Sequence, residues 1–435
     1  MDVLDGMAGP LELLRARGLV QDVTDEAALR DAFAAGPVTF YVGFDPTAPS
    51  LHAGNLVGMM AMAWLQRAGH RPIALAGGGT GRIGDPSGRD TERTLLGEDE
   101  LAANLAGIRR QLDAFLDLDD VEGGERGFLV DNHTWLADLD LLGFLRDVGV
   151  HAPVTAMLGR ESVKRRLEGR EQGITYTEFT YQLLQAYDFV HLHRTHGCVL
   201  QGGGSDQWGN ITAGIDLARR LDGVQLHGVV WPLLTTADGA KFGKSAGNAV
   251  WLDAGMTSPY AYYQYWFNAA DDDVERFLRL FTFLPLADVA DVAAQHAADP
   301  SARHGQRTLA REATRILHGD DGVAAAERAT EVLFGDAPYG TLGDDVLADA
   351  FGEAPSVEVP RARLDDGIGL LELMTTVGAS ASNGEARRLV QQGAVRINNA
   401  AVDDPARVVT PADLAGETIV VLRAGRRRQF LARFV

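Results

Sequence analysis

Residues 40–56 read FYVGFDPTAPSLHAGNL. Val38 to Phe44 is a short apolar run, and the prolines between Asp45 and Leu51 forbid its continuation, so the chain turns there. From about Ala53 to Ala68 apolar residues recur at helical spacing until Gly69 stops them. The stretch therefore predicts a strand, a tight loop and a helix. In a parallel sheet such a loop lies at the carboxyl edge, where the free N–H groups and the positive dipole end of the helix face outward and bind anions. His52 and Asn55 fall three residues apart at that helix start, both able to reach one phosphate, and Gly54 keeps the backbone clear between them. An ordinary turn capped by Asn55 accounts for the same residues equally well, so the rest of the chain must decide.

A chain of 435 residues is long enough for two to four domains, and 46% hydrophobic content without an apolar run near eighteen residues predicts a globular, non-membrane protein. The opening MDVLDGMAGP has acids where a secretory leader would be basic, and the single Cys198 forms no internal disulfide, which together point to the cytoplasm. A net charge of −20 confines any RNA contact to a local basic surface. Lysine is more informative: only Lys164, Lys241 and Lys244 occur in a chain that otherwise uses arginine. A compact ammonium on a flexible stem follows a moving phosphate where a planar fork does not, which marks the 241–244 pair for chemistry.

Taken in order, residues 1 to about 36 read as one or two helices, and Arg71–Ala76 as a second strand running into GGGTGRIGDPSG. Gly79, Gly81 and Gly84 formally match GxGxxG, but no helix opens there, so a pocket-lining loop with Asp85 as a fixed negative charge fits better than a dinucleotide fingerprint. Thr91–Leu118 is helical in pattern and Phe128–Asn132 a short strand. Trp135 to about Leu167 carries Leu141, Leu142, Phe144, Leu145 and Val148 and interrupts the strand–helix alternation, predicting an insertion over about 120–180 available for self-association. In EFTYQLLQAYDFVHL, Tyr181, Gln185 and Asp188 share one helix face among apolar neighbours, as a ligand-facing stripe would. Cys198–Gln201 is a strand ending in GGGSDQWGN, where glycines admit a ligand to the backbone and Asp206 can accept from two vicinal hydroxyls. Val229–Leu234 gives the last strand of this set, followed by TTADGAKFGKSAGN. This is not a Walker loop, since Asp238 stands where glycine would be required.

Beyond Tyr260 the pattern is helical to about Phe334, and 335–365 is rich in glycine, proline and acids, as a linker would be. Gly367–Val435 combines the helix SNGEARRLVQQG, the strand AVRIN and a basic end. Arg387, Arg388, Arg423, Arg426, Arg427, Arg428 and Arg433 give this small unit a local basic face suited to RNA.

His52-Ala-Gly-Asn55 after the first strand and Lys241-Phe-Gly-Lys244-Ser245 after the last resemble the two signatures of class I aminoacyl-tRNA synthetases. The fuller runs FDPTAPSLHAGN, GDPSG, YQLLQAYD, GGSDQWGN and KFGKS are similar to bacterial tyrosyl-tRNA synthetases, nearly end to end, including a final segment like the S4 RNA-binding module. The resemblance implies an α/β Rossmann-like parallel-sheet catalytic domain over 1–259 with the inserted segment. A helical anticodon-binding domain over 260–334, the linker and an S4-like α+β domain over 366–435 would follow. It implies L-tyrosine, ATP with Mg2+, and tRNA(Tyr) as partners, in a homodimer.

Carried over by position, Tyr41 and Asp188 would hydrogen-bond the phenolic hydroxyl of tyrosine, and Tyr181, Gln185 and Asp85 would hold its ammonium, with Gln207 nearby. Gly43, Asp45, Gly54, Gly203 and Asp206 would line the ATP site. Thr47, His52 and Asn55 would meet its phosphates, and Lys241, Lys244 and Ser245 would close over the departing pyrophosphate. No protein metal ligands are expected. The sequence departs from the pattern at Asn55, which cannot carry the charge of a second signature histidine. It departs again at Val42, which has no polar group for a ribose contact, and at Asn399, where a turn glycine is common. The rival readings are a tryptophanyl-type enzyme on the same sheet and a non-catalytic S4-type RNA-binding protein.

Overall fold

The structure is a computed structural model, described for residues 4–84, 97–159, 163–164, 167, 174–237, 242–245, 248–334, 339, 342–352, 354–425 and 428–435. The chain forms two compact units, one of residues 1–253 with 268–317, the other of 254–267 with 318–435.

In the first unit, the strands are β1 (Asp22–Val23), β2 (Thr39–Phe44), β3 (Arg71–Ala76), β4 (Phe128–Asp131), β5 (Leu200–Gly204) and β6 (His227–Trp231). They form one sheet in the order β1-β6-β5-β2-β3-β4, parallel except for the short edge strand β1. The chain builds outward from β2 through β3 to β4, then returns to the other side of β2 with β5 and β6. The strand order therefore reverses between β2 and β5, and their carboxyl ends flank the crevice where ligands bind in open α/β sheets.

Helices α1 (Pro10–Arg17), α2 (Glu26–Ala35), α3 (Leu56–Arg67), α4 (Glu98–Leu112), α5 (Tyr176–His196), α6 (Trp208–Asp222) and α7 (Asp271–Phe281) belong to the same unit. Helix α3 is buried along Leu56–Leu65, as its nearly unbroken apolar sequence requires. Helix α5 starts at a Thr175–Glu178 capping box and ends on left-handed Gly197, so both boundaries are written in the sequence.

The first unit departs from expectation at the insertion. Phe128–Asp131 pairs with β3, and Trp135 is buried in the core around Tyr41 and Phe189, so the sheet and its core take residues assigned to 120–180. A segment outside the sheet starts only after Trp135, where Leu141, Leu142, Leu145, Val150, Val154 and Leu158 are exposed.

In the second unit, β9 (Ser356–Val359), β11 (Val395–Ile397), β12 (Ala400–Val402), β14 (Ile419–Ala424) and β15 (Arg428–Phe434) form a sheet ordered β12-β11-β14-β15-β9. Strands β10 (Ile368–Gly369) and β13 (Val408–Val409) pair separately. Successive side chains of β14 face opposite sides. Val420 and Leu422 join a core with Leu370, Leu373, Met374 and Val390, whereas Ile419 and Val421 join one with Tyr260, Ala329, Leu347 and Phe351.

That second face explains why 335–365 is not a linker throughout. Helix Asp344–Ala350 covers it, Asp344 accepts from Glu417 N–H and Thr418 N–H at 2.9 Å each, and β9 occupies the open edge of β15. The helical stretch 260–334 is likewise not one body: residues 268–317 pack with the first unit, and the division falls near Gly319, which breaks helix geometry at φ 70°. Asn399 sits at φ 69° beside Asn398 at φ 44°, making the two-residue turn between β11 and β12 in a left-handed conformation that asparagine tolerates.

Candidate active site

The loop after β2 is held before any ligand arrives. Buried Asn104 of α4 donates to the Pro46 carbonyl at 2.9 Å, and buried Gln111 accepts from Leu51 N–H at 2.7 Å while donating to Ser50 Oγ at 2.9 Å. Helix α4 can approach this closely because Gly107 lies under Pro49, where a Cβ would sit 2.1 Å from the carbonyl oxygen. Asp45 lies at the mouth of β2, with a Cβ on Gly77 coming 3.1 Å from its Oδ1, and Thr47 and Gly43 are exposed.

At the start of α3, His52 and Asn55 form a reciprocal cap. Gly54 N–H donates to His52 Nδ1 at 3.0 Å, and His52 N–H donates to Asn55 Oδ1 at 3.1 Å. Nδ1 therefore acts as an acceptor and Nε2 carries the ring proton, while Asn55 keeps its Nδ2 amide as donor. Both side chains present donors at a helix N-terminus, the arrangement an anion requires.

The second signature meets the first. Ala53 N–H donates to the Val250 carbonyl at 2.8 Å, Leu252 N–H to the Leu51 carbonyl at 2.9 Å, and His52 bridges to Trp251. Strand β7 (Lys244–Ser245) pairs with β8 (Asn248–Ala249), and Gly243 sits at φ 86° so close to Gly54 that a Cβ would lie 2.6 Å from its nitrogen. The backbone before Lys244 thus abuts the start of α3. Lys241 and Asp85 lie outside the described residues, as do Arg426 and Arg427, and the side chains of Lys244 and Ser245 are also outside them.

Deeper, beneath β2, lies a polar cluster in an apolar wall. Asp188 is 1% exposed and accepts from Trp135 Nε1 at 2.8 Å and Asn132 Nδ2 at 3.0 Å. Burial overrides these donors and pushes its carboxyl up to about 7. Asn132 also donates to Thr80 Oγ1 at 2.9 Å and accepts from Gly79 N–H at 2.8 Å, tying the glycine loop after β3 to the cluster.

The Tyr41 hydroxyl is buried with no hydrogen-bond partner among the described residues. Burial, and then the neighbouring Asp188 charge, raise its pKa well above the ordinary phenol value. A buried hydroxyl without a partner costs about 1–3 kcal/mol, which a ligand hydroxyl placed between Tyr41 and Asp188 would relieve.

Tyr181 is buried on the same face of α5, and Gln185 Nε2 donates to Gln207 Oε1 at 3.3 Å while its own Oε1 has no partner among the described residues. Gln207 is held from below by Asn210 at 3.0 Å. At Gly203 a Cβ would stand a tight 3.0 Å from that of Gln207, and Asp206 is exposed at the end of β5. Val42 is spent on packing, facing the space over Gly202 shared with Trp231. The sequence did not single out Asn132, Trp135, Thr80, Asn104 or Gln111. For Asn132 a signal existed: it directly follows a strand, at the carboxyl edge where such sites form.

Residues 34–335 match the family of class I tRNA synthetases for tryptophan and tyrosine, and 347–432 match the tyrosine–tRNA ligase SYY-like C-terminal domain. The tyrosine–tRNA ligase of Rhodopirellula baltica is 48% identical over 97% of this chain and 96% of its own length. The chain belongs to the tyrosine–tRNA ligases. The ligase of Roseiflexus castenholzii is 47% identical over 98% of this chain and 99% of its own. Among solved structures, a C-terminally truncated Aspergillus nidulans mitochondrial tyrosyl-tRNA synthetase is 34% identical with a TM-score of 0.68, covering 75% of this chain and 95% of that one. Plasmodium falciparum tryptophanyl-tRNA synthetase, 11% identical at a TM-score of 0.54, shares the fold alone. A tyrosine–tRNA ligase joins L-tyrosine to tRNA at the expense of ATP, and this chain is such an enzyme.

Proposed function

We propose that the substrate phenol enters the cluster beneath β2, donating to Asp188 and accepting from Tyr41. The single observation that carries this reading is the buried, unpartnered Tyr41 hydroxyl beside an acceptor held by two donors. Tyr181, Gln185 and Asp85 hold the ammonium, with Gln207 next to Gln185. Asp206 and the Gly203 backbone take the ribose side of ATP, flanked by Gly43 and Asp45. Thr47, His52 and Asn55 take the phosphates beside Gly54, and Mg2+ arriving with the nucleotide would help neutralise their charge.

In this reading the tyrosine carboxylate attacks the α-phosphorus in line, forming the adenylate bond as the bond to pyrophosphate breaks. The 3′-terminal tRNA hydroxyl then takes the tyrosyl group and releases AMP. No protein nucleophile takes part; alignment and charge neutralisation by His52, Asn55, Lys241, Lys244 and Ser245 lower the barrier. Lysines that hold the phosphates more tightly in the transition state raise kcat rather than affinity. Lys244→Ala should therefore lower kcat for ATP–pyrophosphate exchange by about 2–4 kcal/mol of barrier with tyrosine affinity retained; unchanged kcat overturns the phosphate assignment.

We further propose a cytoplasmic homodimer, joined through the segment that exposes Leu141, Leu142, Leu145 and Val154. The helical stretch 260–334 would meet the anticodon, and exposed Arg387, Arg388 and Arg428, with Arg426 and Arg427, would meet tRNA phosphates. Light scattering of Leu142→Glu tests the dimer: a mass equal to that of the unsubstituted protein refutes this interface.

A further inference from the structure

The chain leaves β6 and returns to the first signature through a loop whose described ends are both held by α7. At the near end, Asp273 Oδ2 accepts from Ala237 N–H at 2.8 Å, and Arg276 donates to the Thr235 carbonyl at 2.7 Å and to Asp273 Oδ1 at 2.5 Å. Asp273 is 3% exposed, so its carboxylate is committed to these two donors rather than to solvent. At the far end, buried Phe242 stacks flat on Phe281, centroids 5.0 Å apart at 1°, and edge-on to Phe277 at 5.3 Å.

The next residue is Gly243, whose backbone touches Gly54. Any shift of Phe242 on its seat is thus passed within one residue to the contact between the two signatures. Helix α7 is itself braced from behind. Buried Arg17 of α1 donates to the Leu284 carbonyl at 2.8 Å and to those of Arg279 and Thr282 at 3.4 Å, while its guanidinium lies 3.6 Å over the Trp64 ring of α3. One frame therefore carries both the helix that presents His52 and Asn55 and the helix that seats Phe242.

We infer that α7 is the platform that positions the second signature. Phe242 on Phe277 and Phe281, with Ala237 on Asp273, sets where the Lys244 backbone stands against the start of α3 and so governs the chemical step rather than tyrosine binding. These are positioning residues. The inference rests on the reading of 52–55 and 244–245 as the triphosphate site.

The test uses the full-length enzyme, measuring ATP–pyrophosphate exchange alongside tyrosine affinity by equilibrium dialysis. Phe242→Ala, Phe281→Ala and Asp273→Ala should each lower kcat about 10- to 100-fold, the scale of a small misplacement, with the tyrosine Kd held within about twofold. The double variant Phe242→Ala/Phe281→Ala should be no slower than the slower single variant, because the two rings act as one contact. Phe242→Leu should regain most of kcat. Losses that add in the double variant, a kcat unchanged in Phe242→Ala, or a tyrosine affinity that falls with kcat overturns the inference. Lys244→Ala separates the layers: slow Lys244→Ala with normal Phe242→Ala removes the platform and keeps the phosphate site, whereas normal Lys244→Ala removes both.

Discussion

Asn132 Nδ2 donates to Asp188 Oδ2 at 3.0 Å while the same side chain accepts from Gly79 N–H at 2.8 Å, so one buried amide joins β4, α5 and the glycine loop. Asp188 is thereby fixed as an acceptor in a place where water is excluded, and its orientation depends on a residue the ligand need not touch.

Asn132→Ala should uncouple that arrangement. It leaves Asp188, Thr80 and Gly79 each short of one partner, which costs about 1–3 kcal/mol of stability per buried group left unmet. We expect a lower urea midpoint and a kcat/KM for tyrosine reduced about tenfold or more, with KM for ATP changed little.

Tyr41→Phe should behave oppositely in the two assays. It removes a buried hydroxyl that has no partner among the described residues, so the empty protein should gain about 1 kcal/mol in urea denaturation. The same change should weaken preference for tyrosine over phenylalanine by about tenfold, the worth of one hydrogen bond. Tyrosine-specific ligases are themselves the reference case for selection by a buried hydroxyl-reading site.

The Asp188 carboxyl gives the empty enzyme a defined pH response. Its folded-state pKa is raised to about 7, so between the ordinary carboxylate value and 7 the native state holds a proton that the unfolded state has lost. This contribution to stability is complete below the unfolded value and disappears as pH rises through 7, with a slope of up to about 1.4 kcal/mol per pH unit inside the window. Thermal melts from pH 5 to 8 should show the unsubstituted protein losing more than Asp188→Ala.

Gly243→Ala tests the contact between the two signatures directly. The site has φ 86°, which costs an L-residue about 1–2 kcal/mol, and the new Cβ would lie 2.6 Å from Gly54 N. The loop must withdraw, so exchange kcat should fall about tenfold or more while the tyrosine Kd stays put.

The strand, loop and helix at 38–68 could be read because their physics is local: prolines end the strand, and spacing and a closing glycine define the helix. The same holds for α5, whose cap and polar face lie within one segment. What escaped the sequence is what depends on meetings between distant segments. Trp135 reads from sequence as the start of an insertion, and the role of Asn132 at the end of its strand shows only once β4 is seen to pair with β3. Asn104 and Gln111 sit in an unremarkable amphipathic pattern, and only the close approach allowed by Gly107 shows why they are amides. In the second unit, the composition of 335–365 hid two helices, Asp344–Ala350 and Arg361–Asp365, and a strand because their apolar groups are few, and the need for the first helix and the strand comes from an open face and edge of β14 and β15.

The Ala53–Val250 bond ties the order of synthesis to competence. A nascent chain exposes its first loop early, yet the partner segment emerges only after some two hundred further residues have left the ribosome. Products that stop before residue 250 therefore lack the bond that pairs the two loops.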